Sequence, residues 1–294
     1  MSVRTYNPSV RVGNWNEDIQ LEEDTLKDFL ERRENGQLLY QKRTSLLQTT
    51  FKQVDLGISR DGYIHFGDLV NIRCPGSKDK TKHFAHVDPR STCQLSVNPE
   101  ISKILEAKKF QAPCSVSGCL DTSPVMRSSL VIKSCDGTPN GEPLRFGQPF
   151  HISTLDGEGG DLLLQSDCTD FQKCTNRSRH QEVKLVADSS FLTQWQVLHI
   201  NPQLRMEFER TPVPANVNLI INHLKTNQNL AVEEEFMSRT AFGSREYEIT
   251  TQTYLDSHRA EKENNHWQIV MAVPGGDVNP TTQQGVTATP TNSA

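Results

Sequence analysis

No apolar run in these 294 residues approaches the roughly 20 that a membrane-spanning helix needs; the richest stretch, Val217 to Ile221, is strand-sized. The first residues, Met1-Ser2-Val3-Arg4-Thr5-Tyr6-Asn7-Pro8, lack the apolar core of a secretion signal. Positive charge is not in excess. The 31 basic residues against 36 acidic ones give a net charge of −5, so nothing draws the chain as a whole to nucleic acid or anionic lipid. Aromatics are sparse at 7%, and hydrophobic residues reach only 35%, below what a chain of this length commonly uses to build its core. The cysteine count is seven, an odd number scattered from Cys74 to Cys174, in a chain too large to need disulfide staples. Free thiols in a reduced cytosolic compartment are the plain expectation.

What is present divides into four stretches. Residues 1–16 form a polar, proline-containing arm with one large anchor, Trp15, beside Asn14. A tryptophan in such an arm needs something to bury against, its own domain first or else a partner groove. Residues 17–56 predict helix. Leu26, Phe29 and Leu30 stand at i, i+3 and i+4, and Leu39, Leu46, Leu47, Phe51 and Val54 continue the stripe. Glu17, Asp18, Glu22, Glu23 and Asp24 crowd its start, where acids complement the helix dipole. Asn35-Gly36 either ends a first helix or kinks a single long one. The stripe is expected to pack on its own chain rather than on another. Residues 57–273 read as a β-rich body, interrupted by one short helix announced by Asn98-Pro99-Glu100. Residues 274–294 have no periodicity and read as a disordered tail.

An internal repeat is the most informative feature of the body. Ile64-His65-Phe66-Gly67-Asp68-Leu69-Val70-Asn71-Ile72 lies over Leu144-Arg145-Phe146-Gly147-Gln148-Pro149-Phe150-His151-Ile152. Both alternate apolar residues, as half-buried strands do, and both place glycine where a strand must bend. A weaker third copy, Val213-Pro214-Ala215-Asn216-Val217-Asn218-Leu219-Ile220-Ile221, has Asn216 at the glycine position, and asparagine is the next most tolerant residue of positive φ. Asp156-Gly157-Glu158-Gly159-Gly160 and Lys225-Thr226-Asn227-Gln228-Asn229 then lead into second apolar runs, as in hairpins. Trp195-Gln196-Val197 echoes Trp267-Gln268-Ile269, each fitting the closing strand of a unit. Three such units resemble a β-trefoil of the kind that carries a Phe-Gly-Asp motif in each unit. The copies stand 80 residues apart from Ile72 to Ile152 and 69 from Ile152 to Ile221, so long insertions are required, residues 73–93 among them. An irregular barrel or sandwich is the fallback.

Motifs for chemistry are weak. Cys168, Cys174 and His180, or Cys114 and Cys119, lack the tight spacing of structural zinc sites, so no metal is expected. Asp256-Ser257-His258 is no triad by adjacency, because neighbours on a strand face opposite ways; turn or hydrogen-bonding roles fit these residues and His223 better. Gly157-Glu158-Gly159-Gly160 lacks a phosphate-binding lysine and reads as a hairpin turn. Glu233-Glu234-Glu235 reads as a solvated face, and the basic stretch Lys78 to His83 as a loop kept soluble by its charge. No catalytic residue and no cofactor is assigned. Polar ends, an acidic helix and a modest apolar content suit a piece that completes its burial by docking into a larger assembly.

Longer strings are specific to one family. Val12-Gly13-Asn14-Trp15-Asn16-Glu17-Asp18, Asp61-Gly62-Tyr63-Ile64-His65-Phe66-Gly67-Asp68, Pro212-Val213-Pro214-Ala215-Asn216 and Thr253-Tyr254-Leu255-Asp256-Ser257-His258-Arg259 resemble the cilia- and flagella-associated protein 161 family. The resemblance spans roughly residues 10–270 and is least over 73–130. It implies a non-enzymatic microtubule inner protein in the lumen of the A-tubule of axonemal doublets, near the seam. The implied partners are α/β-tubulin and neighbouring inner proteins, and the implied role is support of ciliary beating. Trp15 and Asn14 are the expected partner contacts. The competing readings are a cytosolic glycan- or ligand-binding trefoil module, and a divergent hydrolase using Ser257, His258 or Cys174.

Overall fold

The computed structural model of the protein describes residues 15–76, 92–100, 109–170 and 173–274. Among them are two N-terminal helices, α1 (Trp15–Glu34) and α2 (Leu39–Thr50), and twelve strands. The strands fall into three sets of four. The first is β1 (Leu69–Cys74), β2 (Cys93–Asn98), β3 (Cys114–Cys119) and β4 (Ser129–Ser134). The second is β5 (Phe150–Thr154), β6 (Leu163–Ser166), β7 (Gln181–Val186) and β8 (Trp195–His199). The third is β9 (Asn218–His223), β10 (Gln228–Arg239), β11 (Arg245–Thr251) and β12 (His266–Val270). A short helix, α3 (Arg205–Phe208), lies between the second and third sets.

All pairings are antiparallel, and they close on themselves. The first and last strands of each set pair (β1 with β4, β5 with β8, β9 with β12), and successive sets join through β4–β5, β8–β9 and β12–β1. The result is a six-stranded barrel with no free edge. The middle strands form three hairpins, β2–β3, β6–β7 and β10–β11, which cap one end of the barrel. Their inner strands touch in a triangle of β3–β7, β7–β11 and β11–β3 pairs. This is the threefold plan of a β-trefoil, as the repeat predicts.

The repeat carries the symmetry down to single atoms. At the barrel's other end the Ile64 N–H donates to the Val213 carbonyl at 3.0 Å, Val213 to Leu144 at 2.8 Å, and Leu144 to Ile64 at 2.8 Å, a closed ring of three. All three side chains are fully buried. A second set follows two residues on, where Phe66, Phe146 and Ala215 donate to Glu142, Thr211 and Gly62 at 3.0, 3.0 and 2.8 Å. In a third set Gly67, Gly147 and Asn216 donate to Ile132, Val197 and Ile269 on the closing strands, at 2.7, 3.0 and 2.9 Å. The bend needs a left-handed residue at each of these last positions, and φ is +88°, +75° and +61°. Asn216 fills the role that the sequence assigns to it, and its side-chain oxygen also accepts the Met271 N–H at 3.0 Å. The residue after each glycine acts alike too: Asp68 Oδ2 accepts the His65 N–H at 2.8 Å and Gln148 Oε1 the Arg145 N–H at 3.1 Å.

Trp195, the first residue of β8, and Trp267, the second of β12, are completely buried. Each indole N–H reaches the backbone of the next hairpin layer, Leu164 O at 2.8 Å and Leu230 O at 2.9 Å, so the large ring is buried without an orphaned donor. In the first set the corresponding place is held by Leu130, which fills the core without that bond. The core is otherwise built from threefold layers of aliphatics, among them Ile72, Ile152 and Ile221, and Ile132, Val197 and Ile269.

Several boundaries differ from expectation. The helical region is two helices, separated at Gly36 with φ +66°, and it stops at Thr50; Phe51 turns the chain, and a bridge from Gln53 to Val125 follows. The chain turns there because backbone bonds to the 124–127 segment replace those of a helix. The helix expected after Pro99, most of the 73–93 insertion and the tail lie outside the described residues, as does the basic stretch 78–83.

Gly67 and Gly147 differ in what surrounds them. A Cβ on Gly67 would sit 3.0 Å from the Asn140 side chain, whereas on Gly147 its nearest neighbour is 3.8 Å away. Both alanine substitutions strain the backbone, by about 1–2 kcal/mol. Gly67→Ala also requires the exposed Asn140 side chain to shift and should show the slightly lower urea midpoint of the two; a midpoint above that of Gly147→Ala would contradict the packing described.

Candidate partner-docking surface

The N-terminal helices meet the body at one place. After α2, Arg127 N–H donates to Thr50 O at 3.2 Å, Met126 N–H to Lys52 O at 2.9 Å and Val54 N–H to Pro124 O at 3.1 Å. Thr50 is fully buried in this junction. Beneath it lies a buried ion pair. Arg127 donates to both oxygens of Glu246, at 2.9 and 2.7 Å, and its Nε to Val97 O at 3.2 Å. Ser117 and Ser244 complete the Glu246 carboxylate at 2.5 and 2.9 Å. The guanidinium lies 4.8 Å from the Phe242 ring centre and 5.9 Å from that of Phe51, the first residue past α2, and the two rings meet edge to face at 5.2 Å. A cation packed against this aromatic pair therefore ties the helical segment, the loop before β4 and the tip of the β10–β11 hairpin together.

Beyond this junction the helices leave the body. A hydrogen-bonded joint links them: Gln41 Nε2 donates to Arg33 O at 2.9 Å, while Gln41 Oε1 accepts the Leu38 N–H at 3.3 Å. In α1, every described side chain from Glu17 to Glu34 is exposed except Asp18, which is partly covered. Ile19, Leu26, Phe29 and Leu30 keep between 41% and 59% of their surface in solvent. This corrects, for α1, the expectation that the stripe packs on its own chain; at the stripe's far end Val54 does pack against the core. The backbone bonds at Thr50 anchor the end of α2 to the body, whereas α1 lies beyond the Gly36 turn with its side chains in solvent. Of the two expected contact residues, Trp15 opens α1, and Asn14 lies outside the described residues. The face that α1 presents includes residues the sequence singled out as a stripe but assigned to the interior.

The other chemistry-bearing residues resolve into structural roles. Asp256 Oδ1 accepts the N–H groups of His258 and Ala260 at 2.8 and 2.9 Å, so Asp256-Ser257-His258 is a capped turn. His223 is enclosed between Leu192 O at 3.0 Å and the Thr226 hydroxyl at 2.7 Å, and burial lowers its pKa below the usual 6.5. Gly157–Gly159 is a short turn between β5 and β6. Among the described residues no group of histidines, cysteines and carboxylates is arranged to hold a metal ion. Cys74 and Cys93 face each other across β1 and β2 as free thiols; a hydrogen bond from Cys74, and then burial, push the Cys93 thiol well up. Burial, with Asp136 nearby, pushes Cys135 up to about 12.

Glu233 requires a correction. It is buried, not part of a solvated face, because β10 turns it inward. Thr250 donates to it at 2.7 Å, Tyr254 OH lies 2.8 and 2.9 Å from its two oxygens, and His180 Nδ1 is 2.8 Å away. Burial and the Glu233 charge raise the Tyr254 pKa above its usual 10. The sequence signal was present in strand alternation, but three consecutive glutamates obscured it. A cavity of 270 Å³ at the open end of the barrel is a further feature missed. Tyr63, Phe146, His199, Phe208, Pro212 and Leu219 line it, with His199 stacked on Phe208 at 4.5 Å.

The buried pair yields a prediction. Burial alone would raise the Glu246 pKa, but the hydrogen bonds and charge of Arg127 outweigh it and hold it below the usual 4.5. A carboxylate depressed on folding stabilises the fold above its unfolded pKa and loses that contribution as pH falls through the folded value. Glu246→Gln should cost about 3–5 kcal/mol in urea unfolding at pH 7, because it leaves Arg127 buried without a counter-charge. The cost should shrink as pH falls below about 4.5 and through the lowered folded value. The double variant Arg127→Met/Glu246→Leu should recover part of it, and a neutral Glu246→Gln would remove the pair from the account.

Residues 42–272 match the model of the "Cilia- and flagella-associated protein 161-like domain", which leaves α1 outside the matched span. The chain is 42% identical over 278 residues to "Cilia- and flagella-associated protein 161" of Danio rerio, covering 92% of this chain and 90% of that one. It is 39% identical over 279 residues to the Bos taurus protein of the same name, covering 95% and 86%. Among solved structures, the SDF2-like protein from Arabidopsis thaliana superposes with a TM-score of 0.49 at 14% identity, over 71% of this chain and 94% of that one. The trefoil assignment rests on the strand pairings above. By the matched span and by identity across nearly the whole chain, the protein belongs to the cilia- and flagella-associated protein 161 family.

Proposed function

We propose that this protein is a non-enzymatic structural element of the axoneme, a microtubule inner protein on the luminal wall of the A-tubule of doublet microtubules. Its partners are α/β-tubulin and neighbouring inner proteins near the seam, and its role is to support the beating of motile cilia. Membership of a cilia- and flagella-associated family is one support. The observation that carries the reading is α1, an anchored helix with its apolar residues in solvent on a body whose barrel has no free edge. Such a molecule is suited to holding position between neighbours. Shallow contacts repeated along a lattice reach useful strength through avidity, without any deep single site.

A ligand-binding trefoil is the second reading, and the aromatic cavity at the open end favours it. Its 270 Å³ lies near the lower end for small-ligand pockets. A glycan array that returns no binder dismisses the glycan version of this reading.

In a motile-ciliated cell the tagged protein should co-localise with the axoneme and survive detergent extraction; diffuse cytosolic signal would defeat the structural reading. Trp15→Ala should lower axonemal incorporation several-fold while leaving the thermal midpoint of the purified protein within about 1 °C. Unchanged occupancy would remove Trp15 from the contact.

A further inference from the structure

The charge of this protein is concentrated in one element. α1 contains eight acidic and three basic residues, a net of −5, and the whole chain, with 31 basic and 36 acidic residues, is also at −5. Everything outside α1 is therefore balanced. The helix dipole accounts for Glu17 and Asp18 in the first turn, but not for those that follow. Ion pairs within the helix take up Asp28, through Arg32 at 2.8 Å, and lie at 3.9–4.0 Å for Asp24 and Glu23 with Lys27.

Position matters more than the total. With 3.6 residues per turn, Ile19, Leu26, Phe29 and Leu30 share one side of α1. Glu22 and Glu23 stand three and four residues after Ile19, and four and three before Leu26. They fall on that same side, in the gap between the apolar residues. Asp24 and Glu31 point to the opposite side. Any surface that covers the apolar face must therefore cover two carboxylates with it. Burying them without cations would be strongly unfavourable.

From this we infer that α1 docks lengthwise into an apolar groove of a different protein, and that the groove carries lysine or arginine opposite Glu22 and Glu23. Other occupants fit the same face poorly. A second copy brings a helix with the same −5, and an anionic lipid surface or a nucleic acid repels it. The balanced body offers α1 no excess of positive charge to fold back onto. The mode is that of an amphipathic helix in a groove, read by anchors at i, i+3 and i+4 spacing, with the charge pair setting register and partner choice. The inference rests on α1 being a contact element and holds wherever the assembly is located.

The test uses the full-length chain in motile-ciliated cells, with a photo-cross-linking phenylalanine analogue in place of Phe29. Cross-linked peptides should come from a different protein and contain lysine or arginine among apolar residues. Glu22→Lys combined with Glu23→Lys should reduce that cross-link at least tenfold. Asp24→Lys combined with Glu31→Lys, an equal change in charge on the far side of the helix, should leave it within twofold. Both pairs should retain the wild-type thermal midpoint, because α1 stands clear of the body. Cross-links to a second copy, to the chain's own β body or to lipid would overturn the inference. So would the lack of any cross-link, or equal sensitivity to the two charge reversals. Where the captured complex is found, on the axoneme or elsewhere, judges the proposed function separately.

Discussion

Three backbone hydrogen bonds, from Ile64 to Val213, from Val213 to Leu144 and back to Ile64, hold the molecule's geometry at its axis. Each donor belongs to one unit and each acceptor to another, so no unit can complete its own bonding. A ring of this kind forms only when all three segments approach together. It demands a sharp bend immediately after, and this is why Gly67, Gly147 and Asn216 all adopt positive φ. From the bend, the chain enters the barrel strands, and the barrel in turn fixes where the capping hairpins sit. Buried aliphatic layers provide most of the driving force; the ring decides which arrangement those layers take.

A closed barrel has a consequence for function. Because every barrel strand has two neighbours, the barrel itself offers no edge on which to extend a sheet into a partner. The N-terminal helices are attached through one junction, where Arg127 is held by Glu246 and lies against the Phe242–Phe51 pair. That junction is anchored by a buried ion pair with hydrogen bonds from Ser117 and Ser244. The segment beyond it, past Gly36, stays exposed.

Much of the fold was readable in the residues. The repeat around Phe66-Gly67-Asp68 located the equivalent strands, the asparagine at position 216 marked the third bend, and Trp195 and Trp267 marked two of the three closing strands. The third closing strand, β4, carries Leu130 in place of tryptophan and so left no comparable mark. The family resemblance carried by strings such as Asp61 to Asp68 agrees with the relatives found across nearly the whole chain. The site was less readable. The apolar stripe of α1 was visible, yet its orientation was assigned inward, because an amphipathic helix looks the same whether its apolar face meets its own chain or another's.

The sequence by itself determined the local conformations and the threefold plan, since strand alternation, positive-φ residues and hydrophobic layers act over a few neighbours and repeat along the chain. Only the tertiary structure decided which polar groups are buried and which apolar ones are not. Arg127 and Glu246 lie 119 positions apart and become a buried pair only when the loop before β4 meets β11. Glu233 becomes the centre of a network only when Tyr254 and His180 arrive beside it. The stripe of α1 is a like case: its periodicity is written in the residues, and only the folded chain shows that it stays in solvent.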